Sequence, residues 1–131
     1  MVATALLLNA ILFGGMVFFS FGFAPVLFKQ LPMQQVRPLL RGTFPYYYLA
    51  VIGLSAVAAA LAYFVSPMAG LLVGAIFLST LYARQILMHQ INAATDRGDD
   101  RQFKILHGLS VVVQLIQIGL SGWAVVLLAQ A

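Results

Sequence analysis

Apolar and polar positions in this chain separate into long blocks instead of alternating over a strand or a helical turn. Four stretches carry no charged side chain: Met1–Phe28, Gly42–Tyr63, Met68–Ala83 and Ile105–Ala131. A helix needs about 20 apolar residues to cross the hydrocarbon of a bilayer, where charged side chains are costly. The pattern therefore predicts an all-α chain, an integral membrane four-helix bundle in one domain over residues 1–131. Its helices are expected at about residues 4–28, 44–65, 68–93 and 104–129. Pro32 suits a first helical position, and Met33, Val36 and Leu40 would share one face. A short interfacial helix is expected there, over about residues 32–41, with Pro38 limiting its length.

Charge then supplies orientation. All seven basic and all three acidic residues lie within Lys29–Arg41 and Arg84–Lys104. The second connection, Val65–Ala69, and both tails carry none. Under the positive-inside rule both termini face outward and both charged loops face the cytoplasm. Met1–Phe28 has no basic residue before Lys29, and its apolar run is about twice a signal-peptide core. A retained first helix is expected, in a multi-pass protein of a bacterial inner (plasma) membrane. The net charge of +4 sits beside membrane exits, where it orients helices and meets lipid headgroups. The lipid bilayer is the expected partner, and nucleic acid is not.

Within the helices, small residues fall on stripes. Ile11, Gly14, Gly15, Phe18, Gly22 and Pro25 share a sector about 100° wide on helix one. Gly70 and Gly74 open helix three in a G-x-x-x-G pattern. Gly53, Ala56 and Ala60 form a small-residue face on helix two, between Tyr46-Tyr47-Tyr48 and Tyr63-Phe64 at the two headgroup levels. Such faces let another backbone approach, whether inside the bundle, on another membrane subunit or in self-association. Pro25 is expected to kink the end of helix one.

Helix four holds the most unusual pattern. His107, Ser110, Gln114, Gln117 and Ser121 recur at spacings of three, four, three and four, one polar stripe on a helix of Val, Ile and Leu. Gln114 lies about 15 Å along the axis from Lys104, near mid-membrane. An amide facing lipid there would cost several kcal/mol, so the stripe must face other helices or a hydrated cavity. It could line a solute or ion path or bind a polar head. The plain structural alternative is interhelical hydrogen bonding, worth about 0.6 to 2 kcal/mol per bond. Gln85, His89 and Asn92 on helix three are spaced four and three apart and are expected to share a face with this seam.

The remaining chemistry is sparse. Arg84, at the membrane boundary, would pair with an anion or snorkel to headgroups. His89 and His107 could clamp haem or a metal, but no second pair of ligands accompanies them and the chain has no cysteine. No metal site and no cofactor are expected. Asp96, Asp99 and Asp100, interleaved with Arg97, Arg101 and Lys104, read as a solvated turn. No nucleophile elbow, zinc-protease helix, phosphate loop or dinucleotide fingerprint occurs, so an enzyme is not expected.

Several short motifs are nonetheless specific in their order. Ala24-Pro25-Val26-Leu27-Phe28 with Leu31-Pro32 closes helix one, and Thr43-Phe44-Pro45-Tyr46-Tyr47 opens helix two. Ile91-Asn92 and the acidic-basic turn precede Phe103, His107 and Ser110 at the start of helix four. Together these resemble the transmembrane protein 205 family of four-helix membrane proteins, also described as domain of unknown function 4149. His89 departs from the proline usual in that family, and Gln114 from an asparagine. The resemblance implies fold and topology, and no activity. Two functional expectations follow. In one, the seam handles a small solute, lipid head or cation. In the other, the protein is an accessory subunit docked through its glycine faces on a larger membrane complex. A haem- or metal-binding redox role is a third, weaker reading.

Overall fold

A computed structural model describes all residues from Met1 to Ala131. It contains four long helices and no strands: α1 Val2–Gln30, α2 Met33–Val65, α3 Pro67–Arg97 and α4 Asp100–Ala129. Helices of 29 to 33 residues are about 44–50 Å long, against a hydrocarbon core of about 30 Å. All four are long and apolar enough to cross a membrane, and their charged ends extend beyond the apolar part. Each helix packs against its chain neighbours, and α1 closes the ring against α4.

Turn chemistry sets the connections. Ser66 caps α3, its Oγ accepting from the Ala69 amide at 3.4 Å, and Pro67 occupies the first position. Gly98 ends α3 at a φ of 69°, a left-handed conformation that glycine adopts without strain. Asp99 then caps α4, accepting from the Gln102 amide at 3.1 Å.

The core is narrow and built from small side chains. Ala5, Ala58, Ala62, Ala69 and Ala124 are fully buried around Leu12, Val73, Ile76 and Leu128. Five of the 22 buried residues are polar, whereas Leu7, Ile11, Phe18, Leu71, Leu78 and Ile116 are more than half exposed. A soluble domain keeps large apolar side chains inside and patches of them off its surface. Here large apolar side chains cover the outside while several polar groups are buried among small apolar ones, as lipid solvation allows.

Three local features differ from the sequence expectation. No separate interfacial helix forms over residues 32–41; Met33 starts a single 33-residue helix that includes Pro38 and Pro45. Both prolines lie near its charged end, where water can serve the carbonyls they leave without an amide donor. Pro25 needs no kink, because residues Phe18–Phe23 form a π-helical turn that ends just ahead of it. Pro25 is thereby placed in the first turn of the following regular segment, where a missing N–H costs least. A second π turn, Ala83–Leu87, interrupts α3.

The glycine stripes also divide. A Cβ on Gly70 would lie 2.6 Å from the Cα and Cβ of Tyr63, so α2 and α3 touch there with no room for a methyl group. A Cβ on Gly14, Gly15, Gly53 or Gly74 would meet nothing within 4 Å, and one on Gly22 only Phe18 of its own helix. Gly14, Gly15, Gly53, Ala56 and Ala60 face outward. These stripes therefore do not pack within the bundle, which is held by the alanine faces on the opposite sides.

Candidate functional site

The polar stripe of α4 turns inward and reaches the other three helices. Gln117 is buried, and its Nε2 donates to Ser79 Oγ at 2.7 Å and Thr80 Oγ1 at 3.0 Å on α3. Both hydroxyls in turn donate to the Ile76 carbonyl. One turn toward the charged end, Gln114 Nε2 donates to Ser20 Oγ of α1 at 2.9 Å and to the Tyr47 hydroxyl of α2. Both amide hydrogens of each glutamine are thus bonded to side chains. Ser110 and Ser121 donate to carbonyls of α4 itself, at His107 and Ile118.

Aromatic packing fixes the Gln114 node. The rings of Phe19 and Tyr47 stack with centroids 3.9 Å apart, and Phe44 and Tyr48 complete the cluster on α2. Ser20 and Phe19 both lie in the π turn of α1. Its extra residue is a common device for re-aiming side chains. In the π turn of α3, Arg84 is half-buried and its Nε donates to the Pro45 carbonyl at 3.2 Å. Arg84 therefore ties α3 to α2 through a backbone acceptor.

The helix-three part of the seam separates. Gln85 and His89 face outward and are exposed, while Asn92 is half-buried. The spacing argument assumed a regular helix, and the π turn inserts one residue and rotates the face. His107 is also exposed, its imidazole stacked on Phe103 with centroids 5.5 Å apart.

Asn92, His107 and Ser110 meet at the charged end of the bundle. With Arg41 and Tyr48 they line a recess of about 60 Å³, completed by Phe44, Met88 and Ile91. The side chains of Tyr48, Asn92 and His107 make no hydrogen bond within the protein, although Tyr48 is only 8% exposed. Arg41 holds Asp96 in a two-pronged pair, Nη1 to Oδ1 at 2.8 Å and Nη2 to Oδ2 at 3.0 Å. Both groups lie beyond the apolar part of their helices. The hydrogen bond from Arg41 holds the Asp96 carboxyl below the ordinary carboxylate range, against the desolvation that acts the other way. Three helices thus bring donor-bearing side chains to the border of one recess. A fork, an amide, an imidazole and a phenol in that arrangement suit an anion.

Other arrangements offer less. No three His, Cys, Asp or Glu side chains come together to hold a metal ion. A lipid-facing groove of about 270 Å³ between α1 and α2 is almost wholly apolar, with Gly15, Phe18, Ala50 and Leu54 in its wall. Asn9 is fully buried; its Nδ2 donates to the Ala5 and Ala58 carbonyls, and its Oδ1 has no partner.

Sequence reasoning missed Asn9, Ser20, Ser79, Thr80 and the recess role of Arg41. The first four are polar residues within apolar runs, and the sequence does not say which of them the glutamines meet. Arg41 carried no such signal, because its neighbours come from distant parts of the chain.

Comparison with curated proteins found no match, and comparison with solved structures found none. A family comparison did. The family described as Domain of unknown function (DUF4149) matches residues 7–100, which hold most of α1, all of α2 and α3, and the motifs around Pro25, Pro45 and Asn92. The chain belongs to this domain-of-unknown-function family, as a member with four helices able to cross a membrane.

Proposed function

We propose that this is a non-enzymatic multi-pass membrane protein that binds a small anionic group in the recess at its charged end. The observation that supports this reading is the convergence of Arg41, Tyr48, Asn92 and His107 from α2, α3 and α4, three of them without a partner in the protein. In this reading the Gln114 and Gln117 nodes are locks that hold helix register, since their donors already have acceptors. The handling of a solute or head group thereby moves from the middle of the seam to its open end. By the distribution of Lys and Arg, that end faces the cytoplasm of a bacterial inner membrane. The likeness to the transmembrane protein 205 group agrees with the four-helix fold and topology of this reading. Native mass spectrometry in mixed-lipid micelles tests the reading. Anionic lipids should be retained over zwitterionic ones, and Arg41→Gln should remove the preference. Equal retention of both classes by the unaltered protein, together with no binding of inorganic phosphate, would refute it.

A second reading, an accessory subunit of a membrane complex, is favoured by the open space over Gly14, Gly15 and Gly53. Gly15→Leu would then release the protein from a co-purified assembly, and unchanged co-purification would count against docking on that face.

A further inference from the structure

The strongest donor of the recess is already occupied by a carboxylate of the same chain. Asp96 stands one helical turn beyond Asn92 on α3, outside the recess lining, and takes both prongs of the Arg41 fork. Resting on the reading of the recess as an anion site, we propose that Asp96 is an internal competitor for Arg41 and that a phosphate group displaces it.

Size, donor count and charge lead to phosphate. A volume of about 60 Å³ equals about two water molecules at their share of liquid volume, the scale of a single small oxyanion. A planar carboxylate is satisfied by the Arg41 fork alone, as Asp96 demonstrates. A tetrahedral phosphate has oxygens left over for Tyr48, Asn92 and His107, which approach from three helices and have no acceptor otherwise. No carboxylate lines the recess, so it is unsuited to a cation.

The competitor is weakly held, as a regulator must be. The side chains of Arg41 and Asp96 are 46% and 60% exposed, and ion pairs this open to water are readily exchanged. Phosphate brings more charge and more acceptor oxygens than the carboxylate it replaces. When Arg41 turns to the phosphate, the direct ion pair between α2 and α3 is exchanged for a bridge through the phosphate to Asn92 and His107. Phe44, Met88 and Ile91 give the recess an apolar wall beside its polar groups, a pairing that suits a lipid phosphate. Inorganic phosphate shares the same chemistry.

Binding of two probes to the full-length protein tests this. Calorimetry with inorganic phosphate in detergent forms one arm, and nanodiscs with or without phosphatidic acid form the other. Asp96→Asn is expected to tighten binding about two- to fivefold in the arm that supplies the natural source. Arg41→Gln should abolish binding there, and Arg41→Lys, which keeps the charge without the fork, should bind between the two. Circular dichroism of each variant separates lost binding from lost folding. If the unaltered protein binds and Arg41→Gln does not, but Asp96→Asn binds no tighter or more weakly, Asp96 positions Arg41 and the competitor inference fails alone. If neither the unaltered protein nor Asp96→Asn binds in either arm, the anion-site reading fails with it.

Discussion

Replacing Gly70 by alanine adds one methyl group at the tightest helix contact in the molecule. The new Cβ would stand 2.6 Å from two carbons of Tyr63 and 2.8 Å from its backbone nitrogen. Ordinary contact begins near 3.4 Å, so α2 and α3 must separate locally by about 0.8 Å, and two of the three atoms met are backbone. Overpacking of this kind costs about 1–3 kcal/mol. Alanine recovers about 0.5–1 kcal/mol of that through its better helix propensity. The expected net loss is up to about 2.5 kcal/mol, centred near about 1 kcal/mol. Gly74→Ala, one turn along the same helix, meets nothing within 4 Å and should be neutral or slightly stabilising. The assay is reversible unfolding by SDS titration in mixed micelles, followed by circular dichroism. If Gly70→Ala matches the unaltered protein, or if both variants lose the same stability, the reasoning about this contact is wrong.

Two further outcomes follow from the polar interior and the distribution of charge. Gln117→Leu removes two interhelical hydrogen bonds, each worth about 0.6 kcal/mol in membrane proteins, and should cost about 1 kcal/mol. A double-mutant cycle with Thr80→Val should recover part of that as coupling, and additive losses would mean the pair does not interact. Orientation can be read by thiol labelling, because the chain has no cysteine. A cysteine at exposed Met68 should react with an impermeant reagent in intact cells, and one at exposed Arg101 only after permeabilisation. The opposite labelling pattern would invert the proposed topology.

The fold was legible because membrane solvation writes itself into blocks of sequence: no charge interrupts the apolar part of any helix. The α4 stripe was legible for the same reason, since an amide at mid-membrane must find acceptors inside the bundle. The identities of Ser20, Tyr47, Ser79 and Thr80 as those acceptors were not, because they depend on how the helices are rotated and staggered. Gln85 and His89 show why rotation was hard to read. A π turn at Ala83–Leu87 shifts the helical phase, and no single residue announces it. The glycine stripes show a related ambiguity. In lipid, a small-residue face marks close approach of some backbone without saying whose, and among the glycines of these stripes only Gly70 meets another helix.

The account divides the polar residues into an inner lock and an outer site, and phosphate-group binding by Gln114→Leu/Gln117→Leu tests that division most directly. The double variant should unfold at lower SDS yet bind the anionic probe with the affinity of the unaltered protein, because the recess is built from Arg41, Tyr48, Asn92 and His107. A folded double variant that no longer binds would place the site in the middle of the seam and contradict the account.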